Sequence, residues 1–107
     1  MKFIDTEIED VKIVTVNLFG DERGFFIETF SADEFIEKTV VKPFVQDNHS
    51  KSTKGILRGL HYQQTQTQGK LVRVISGTVF DVAVDMRESS STIGKWVGVE
   101  LSADNNR

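Results

Sequence analysis

The stretch Gly55-Ile56-Leu57-Arg58-Gly59-Leu60-His61-Tyr62-Gln63 places a guanidinium, an imidazole, a phenol and a carboxamide close together on a segment punctuated by two glycines. Arginine presents a planar fork that matches phosphate or carboxylate. Histidine has an ordinary pKa that lets it take up a proton near neutrality. An anion clamp three residues before a candidate base can hold a charged ligand at one end and move protons at the other. The spacing sets a geometric condition, because residues three apart in a regular strand face opposite sides. Arg58 and His61 can serve one pocket only if the backbone bends between them, and Gly59 is the residue that permits a bend. Otherwise Arg58 lies on the outside and Gly59 merely packs closely.

The other candidates have plainer readings beside their chemical ones. A lone strand histidine is more often structural than catalytic, but Arg58 and Tyr62 give His61 a polar setting; His49 reads as a surface residue. Lys70, directly after Gly69, is either a solvated lysine at a strand entrance or a cation placed to stabilise an oxyanion or enolate. Asp81 and Asp85 share the polar face of an expected strand. Either could orient Lys70 or His61, although acidic residues on an exposed sheet face are common. Arg23, Phe26 and Glu28 cluster early in the chain: Arg23 and Glu28 could pair on the surface, which is worth little, or contact a ligand's base or ring. With two histidines, no cysteine, and Gln63 where an alternating second imidazole would stand, too few nitrogen ligands remain for a transition metal. Neither a metal nor another cofactor is expected.

Strands must position most of these groups. Val11 to Leu18 alternates loosely and suits a half-buried strand; Phe19 to Gly24 reads as a turn or loop, and Phe25 to Phe30 as a strand. Ser31 stands three residues before Glu34, a capping-box pattern that opens one short helix to about Lys38. Phe44 to Ser50 alternates as a strand with Gln46 and Asn48 on its polar face, and Lys51 to Gly55 is a polar loop. Gly55 to Gln63 is strand-like but awkward. Lys70 to Ile75 and Thr78 to Met86 flank Ser76-Gly77 and read as a hairpin. A serine-rich loop, Arg87 to Gly94, leads to a last strand at Lys95 to Leu101, and the tail is polar. Short, regularly spaced strands with one helix indicate an all-β sandwich or small barrel.

At 107 residues the chain is expected to form a single domain, 1–107, or part of one. Its 38% hydrophobic and 27% charged residues exclude a long disordered tract. A net charge of −3 argues against nucleic-acid binding, no apolar run is long enough for a membrane helix, and the first residues do not resemble a secretory signal. A cytoplasmic location is expected.

Taken together, Arg23-Gly24-Phe25-Phe26-Ile27-Glu28, Gln46-Asp47-Asn48-His49-Ser50, Leu57-Arg58-Gly59-Leu60-His61-Tyr62-Gln63, Gln68-Gly69-Lys70-Leu71-Val72-Arg73-Val74 and Gly77 to Asp85 strongly resemble the dTDP-4-dehydrorhamnose 3,5-epimerase family. The resemblance runs from about Val11 to Asn105, and the Leu-Arg-Gly-Leu-His-Tyr-Gln motif is highly specific. It implies a cupin-type double-stranded β-helix (jelly roll), a metal-free site, a homodimer with strand exchange as one way of pairing, and a dTDP-linked 4-keto-6-deoxyhexose as substrate. It also implies roles: His61 as base, Lys70 as the cation near the enolate oxygen, and Arg58 as a pyrophosphate or sugar contact. Gln46 and Asn48 would line the same pocket, and Arg23, Phe26 and Glu28 would meet the nucleotide from the partner subunit. Asp81 is a candidate orienting carboxylate.

Members of the family continue past the segment that matches Leu101-Ser102-Ala103, where they carry a tyrosine acid, a second histidine and the aspartate that orients the base; Tyr62 does not match that acid. A truncated epimerase with impaired turnover is therefore expected, with an uncovered apolar face that favours association. The alternatives are a non-catalytic nucleotide-sugar binding module, a 3-only or 5-only epimerase, and a ketoisomerase of the same family.

Overall fold

A computed structural model describes residues 1–40 and 43–107. Six strands and one helix follow in the order β1 (Lys2–Asp5), β2 (Lys12–Thr15), β3 (Leu18–Asp21), β4 (Gly24–Ile27), α1 (Ala32–Lys38), β5 (Thr78–Val84) and β6 (Trp96–Ser102). They pair as three antiparallel two-stranded sheets, β1-β2, β3-β4 and β5-β6. The mostly-β content with one short helix agrees with the sequence reading.

The helix begins where the Ser31/Glu34 pattern puts it, but not through a capping box. Ser31 makes no side-chain cap bond, and the Glu34 carboxylate instead accepts a 2.9 Å hydrogen bond from the amino terminus of Met1. That full positive charge competes successfully with a backbone N–H for the same carboxylate. Next to it Phe35 is buried and meets the rings of Phe3 and Phe30, each at 5.1 Å, and of Phe44 at 6.0 Å. This aromatic cluster fastens α1 to β1 and to the start of the long irregular segment. In β1-β2 the Asp5↔Lys12 register is matched by a 2.7 Å ion pair.

Residues 19–24 hold the expected turn, but it is confined to two residues. β3 runs on to Asp21, which pairs with Gly24, so only Glu22 and Arg23 turn. The Asp21 carboxylate accepts the backbone N–H of Arg23 at 2.9 Å, and Gly24 takes φ +126°, which a glycine adopts without strain. The charges that suggested a loop belong to the tip of a hairpin.

The expected hairpin of 70–75 with 78–86 is also corrected. β5 pairs with β6 instead, in the register Thr78↔Ser102 to Val84↔Trp96, and 70–75 is irregular and largely exposed. Alternation shows that a segment can form a strand; it does not say which partner it takes. The partner is chosen by the closure of residues 85–95, where Asp85 N–H donates to Lys95 O and Gly94 N–H to Asp85 O. Likewise, 44–50 and 55–63 are not strands.

Among the described residues only Ile8, Phe35 and Leu101 are buried hydrophobics, while Phe19, Phe25, Phe26, Leu57, Leu60 and Phe80 are each at least 65% exposed. The radius of gyration is 15.1 Å, above the roughly 13 Å of a compact domain of this length. The strand pairs are formed, but their apolar faces are not closed over one another.

Candidate functional site

Arg58 sits on the irregular segment and is held by the loop before it. Its Nε–H donates to Ser52 Oγ at 2.8 Å, and an Nη2–H donates to the Lys51 carbonyl at 3.2 Å. One residue on, Gly59 adopts φ +103°, and Gly55 adopts φ +85°, both in the region that side chains disfavour. The backbone therefore turns between Arg58 and His61, as the shared-pocket condition requires, although within an irregular segment and not as a bulge in a strand. The turn brings the imidazole back over its own chain: a Cβ at Gly59 would lie 3.7 Å from His61 Nδ1 and 3.4 Å from His61 N. Gly59 is needed for its dihedral, since the space beside it would admit a Cβ at ordinary contact distance.

Other sequence-predicted groups are placed as follows. Gln46 Nε2 donates to Asn48 Oδ1 at 3.1 Å, so these two stand together on irregular chain. Lys70 is exposed, and Asp81 is half-buried in β5 opposite Val99. Among the described residues no hydrogen bond or ion pair joins Asp81 to His61 or Lys70. Phe26 lies on β4 opposite Phe19, 72% exposed, and Glu28 follows the end of that strand.

Two pairings differ from expectation. Arg23 does not pair with Glu28; its Nη2 meets Asp21 Oδ2 at 2.6 Å. The bonds from Arg23 hold the Asp21 carboxyl below its ordinary range and raise Arg23 above its own. Asp85 does not face His61 or Lys70 either. Its buried carboxylate accepts from Arg87 Nε and Nη2 at 2.9 and 2.8 Å, Ser90 Oγ at 2.5 Å and Thr92 Oγ1 at 2.7 Å. The Arg87 bonds foremost, then the two hydroxyls, hold it well below the usual carboxylate range. Arg87 also pairs with Asp10 and so ties the β5-β6 loop to the β1-β2 loop. This cluster and the Ser52 contact were not read from the sequence. Serine-rich composition signals a loop, and nothing in it distinguishes hydroxyls that serve a buried carboxylate from hydroxyls in water.

An open concavity of about 530 Å³ adjoins the segment, lined by Tyr62, Gln63, Gln64, Thr65 and Gln66. No group of three or more His, Cys, Asp or Glu among the described residues is placed to hold a metal ion, and no helix is long and apolar enough to cross a membrane.

Arg58 and His61 thus present an exposed guanidinium and an exposed imidazole on one irregular segment, groups whose chemistry suits binding an anion and taking up a proton. Comparison with known proteins gives that chemistry a family. The chain is 63% identical over its full length to a dTDP-4-dehydrorhamnose 3,5-epimerase of Shigella flexneri, of which it covers 60%. It is 60% identical over 98% of its length to the Neisseria gonorrhoeae epimerase, of which it covers 32%. The chain thus spans about 60% or less of these relatives' length. A Legionella pneumophila 3,5-epimerase solved with dTDP-4-keto-L-rhamnose superposes on it with a TM-score of 0.93 at 56% identity, over 98% of this chain and 56% of that one. A Bacillus anthracis epimerase with TDP and pyrophosphate bound gives 0.91 at 42% identity, over 98% and 61%. The strand pairs are thus those of the cupin-type jelly roll of these enzymes. The model of the dTDP-4-dehydrorhamnose 3,5-epimerase family matches residues 5–107, and the chain belongs to that family.

Proposed function

We propose that this chain carries the anion-gripping and base-bearing part of a sugar-nucleotide epimerase. The enzyme converts dTDP-4-dehydro-6-deoxy-D-glucose to dTDP-4-dehydro-L-rhamnose, in dTDP-L-rhamnose synthesis. The ketone at C4 acidifies the protons on both neighbouring carbons, C3 and C5. In a gluco-configured ring those two hydrogens are axial on one face, so a single imidazole can reach both. His61 removes each proton and leaves an enolate, whose oxygen the Lys70 ammonium stabilises as charge develops. A proton delivered to the other face inverts the carbon. Arg58 holds the pyrophosphate, with Gln46 and Asn48 beside it.

The observation that carries this reading is the turn at Gly59 in a member of this family. It supports a pocket shared by Arg58 and His61 where a regular strand would separate them. A cytoplasmic location is part of the same proposal, and the β3-β4 hairpin supports a further element of it, a homodimer. The hairpin projects Phe19, Phe25 and Phe26 into solvent with Arg23 at its tip, a shape suited to reaching a neighbouring copy's nucleotide through Arg23, Phe26 and Glu28. The reading is tested by binding of dTDP by the wild-type chain and its Arg58→Ala form. Saturable binding that weakens by about 10- to 100-fold in the variant is expected from loss of a charge-assisted contact. Equal binding by the two forms would remove Arg58 from the site.

A further inference from the structure

Arg58 differs from the two other arginines whose contacts are described above. Arg23 and Arg87 turn their guanidinium groups onto aspartates, whereas Arg58 has no carboxylate partner among the described residues. Its two acceptors are neutral oxygens, Ser52 Oγ and Lys51 O. A carboxylate would orient the guanidinium and also cancel its charge. A hydroxyl and a carbonyl orient it and leave the charge in place. They also take one particular edge: Nε and Nη2 form the side-on fork, so the end-on pair, Nη1 with the second Nη2 hydrogen, stays open for a two-pronged contact with an oxyanion.

Resting on the proposed reading of Arg58 as the pyrophosphate contact, we infer that Ser52 is a positioning residue. Its hydroxyl fixes the Arg58 guanidinium with the end-on fork presented to the ligand's phosphates. Ser52 does not itself need to touch the ligand. An exposed arginine free to rotate would lose side-chain entropy on binding, of the order of 0.5–1.5 kcal/mol for an immobilised side chain, or about 2- to 12-fold in affinity. The Ser52 bond orders it beforehand.

The experiment combines calorimetric titration with dTDP and an NMR readout of the Arg58 Nε–H in the ligand-free protein. Ser52→Ala is expected to weaken dTDP binding by about 3- to 10-fold and to speed exchange of the Arg58 Nε–H with water. Ser52→Thr, which keeps the hydroxyl, restores both. In an Arg58→Ala background Ser52→Ala changes affinity no further, and binding of thymidine, which has no phosphate, is unaffected. An equal loss with Arg58 present or absent would overturn the inference, because Ser52 would then contact the ligand directly. Unchanged affinity in Ser52→Ala, with the wild type binding dTDP, would overturn the positioning role while leaving the nucleotide reading intact. No dTDP binding by the wild type would overturn both, and the Nε–H exchange rates would then report whether the Ser52 contact exists at all.

Discussion

In the proposed reaction Arg58 and His61 have different work, charge and proton transfer, and substitutions should separate the two. Arg58→Lys keeps a cation but loses the planar fork and the Nε–H that Ser52 accepts. It is expected to recover only a minor part of the affinity lost in Arg58→Ala, as measured by dTDP titration. Gly59→Ala meets one obstacle, a φ of +103°, and sets its new Cβ in contact with the imidazole at 3.7 Å. It should change the His61 ring environment, visible as a shift of its Cε1–H resonance, whereas an unshifted resonance would show that the turn survives. At this scale the sequence was readable where residue type alone carries the chemistry. The Arg–Gly–Leu–His spacing demanded a turn, and the glycine with positive φ lies inside it. It was unreadable where two side chains had to choose among partners: Arg23 takes Asp21, its neighbour in the turn, because the hairpin brings that carboxylate closer than Glu28.

The elements are held by different means. α1 rests on the Phe3-Phe30-Phe35-Phe44 cluster. Phe35→Ala should destabilise the fold by about 3–5 kcal/mol, as large-to-small core changes do, read as a shifted urea midpoint. The β5-β6 pair depends on Asp85, whose folded-state pKa is depressed. A depressed carboxylate contributes stability that is fully present above its unfolded pKa, near 3.9, and is lost as pH falls towards the folded value. Thermal melts should therefore show Asp85→Asn less stable than wild type at neutral pH, with the gap closing only below about pH 4. A gap that closed between pH 5 and 7 would contradict the network. The helix and the last strand were legible because their signals are local: Ser31 three residues before Glu34 marks a helix start, and Lys95 to Leu101 is one short run between a serine-rich loop and a polar tail. The pairing of β5 with β6 was not, since it is decided by a buried carboxylate holding the intervening loop.

For the whole molecule, the consequence of three unclosed strand pairs is exposed apolar surface, from Phe19 and Phe25 on one hairpin to Phe80 and Trp96 on another. Surface of this kind is expected to be covered by association. Sedimentation of the chain should give a mass above that of a monomer, and Phe19→Asp should shift it downwards; a monomer at all concentrations would contradict the proposed homodimer. The central proposal is proton abstraction by His61, and deuterium wash-in at C3 and C5 of dTDP-4-dehydro-6-deoxy-D-glucose tests it most directly. Exchange requires only a base and a stabilised enolate, since the same imidazole can return a solvent deuteron to the carbon it deprotonated, so the readout does not depend on inversion. In D2O the wild-type chain should incorporate deuterium at those carbons, and His61→Asn should lose the incorporation by about 10²-fold or more while still binding dTDP. Incorporation at equal rates in both proteins, or none in the wild type, would contradict His61 as the base and leave a nucleotide-sugar binding module.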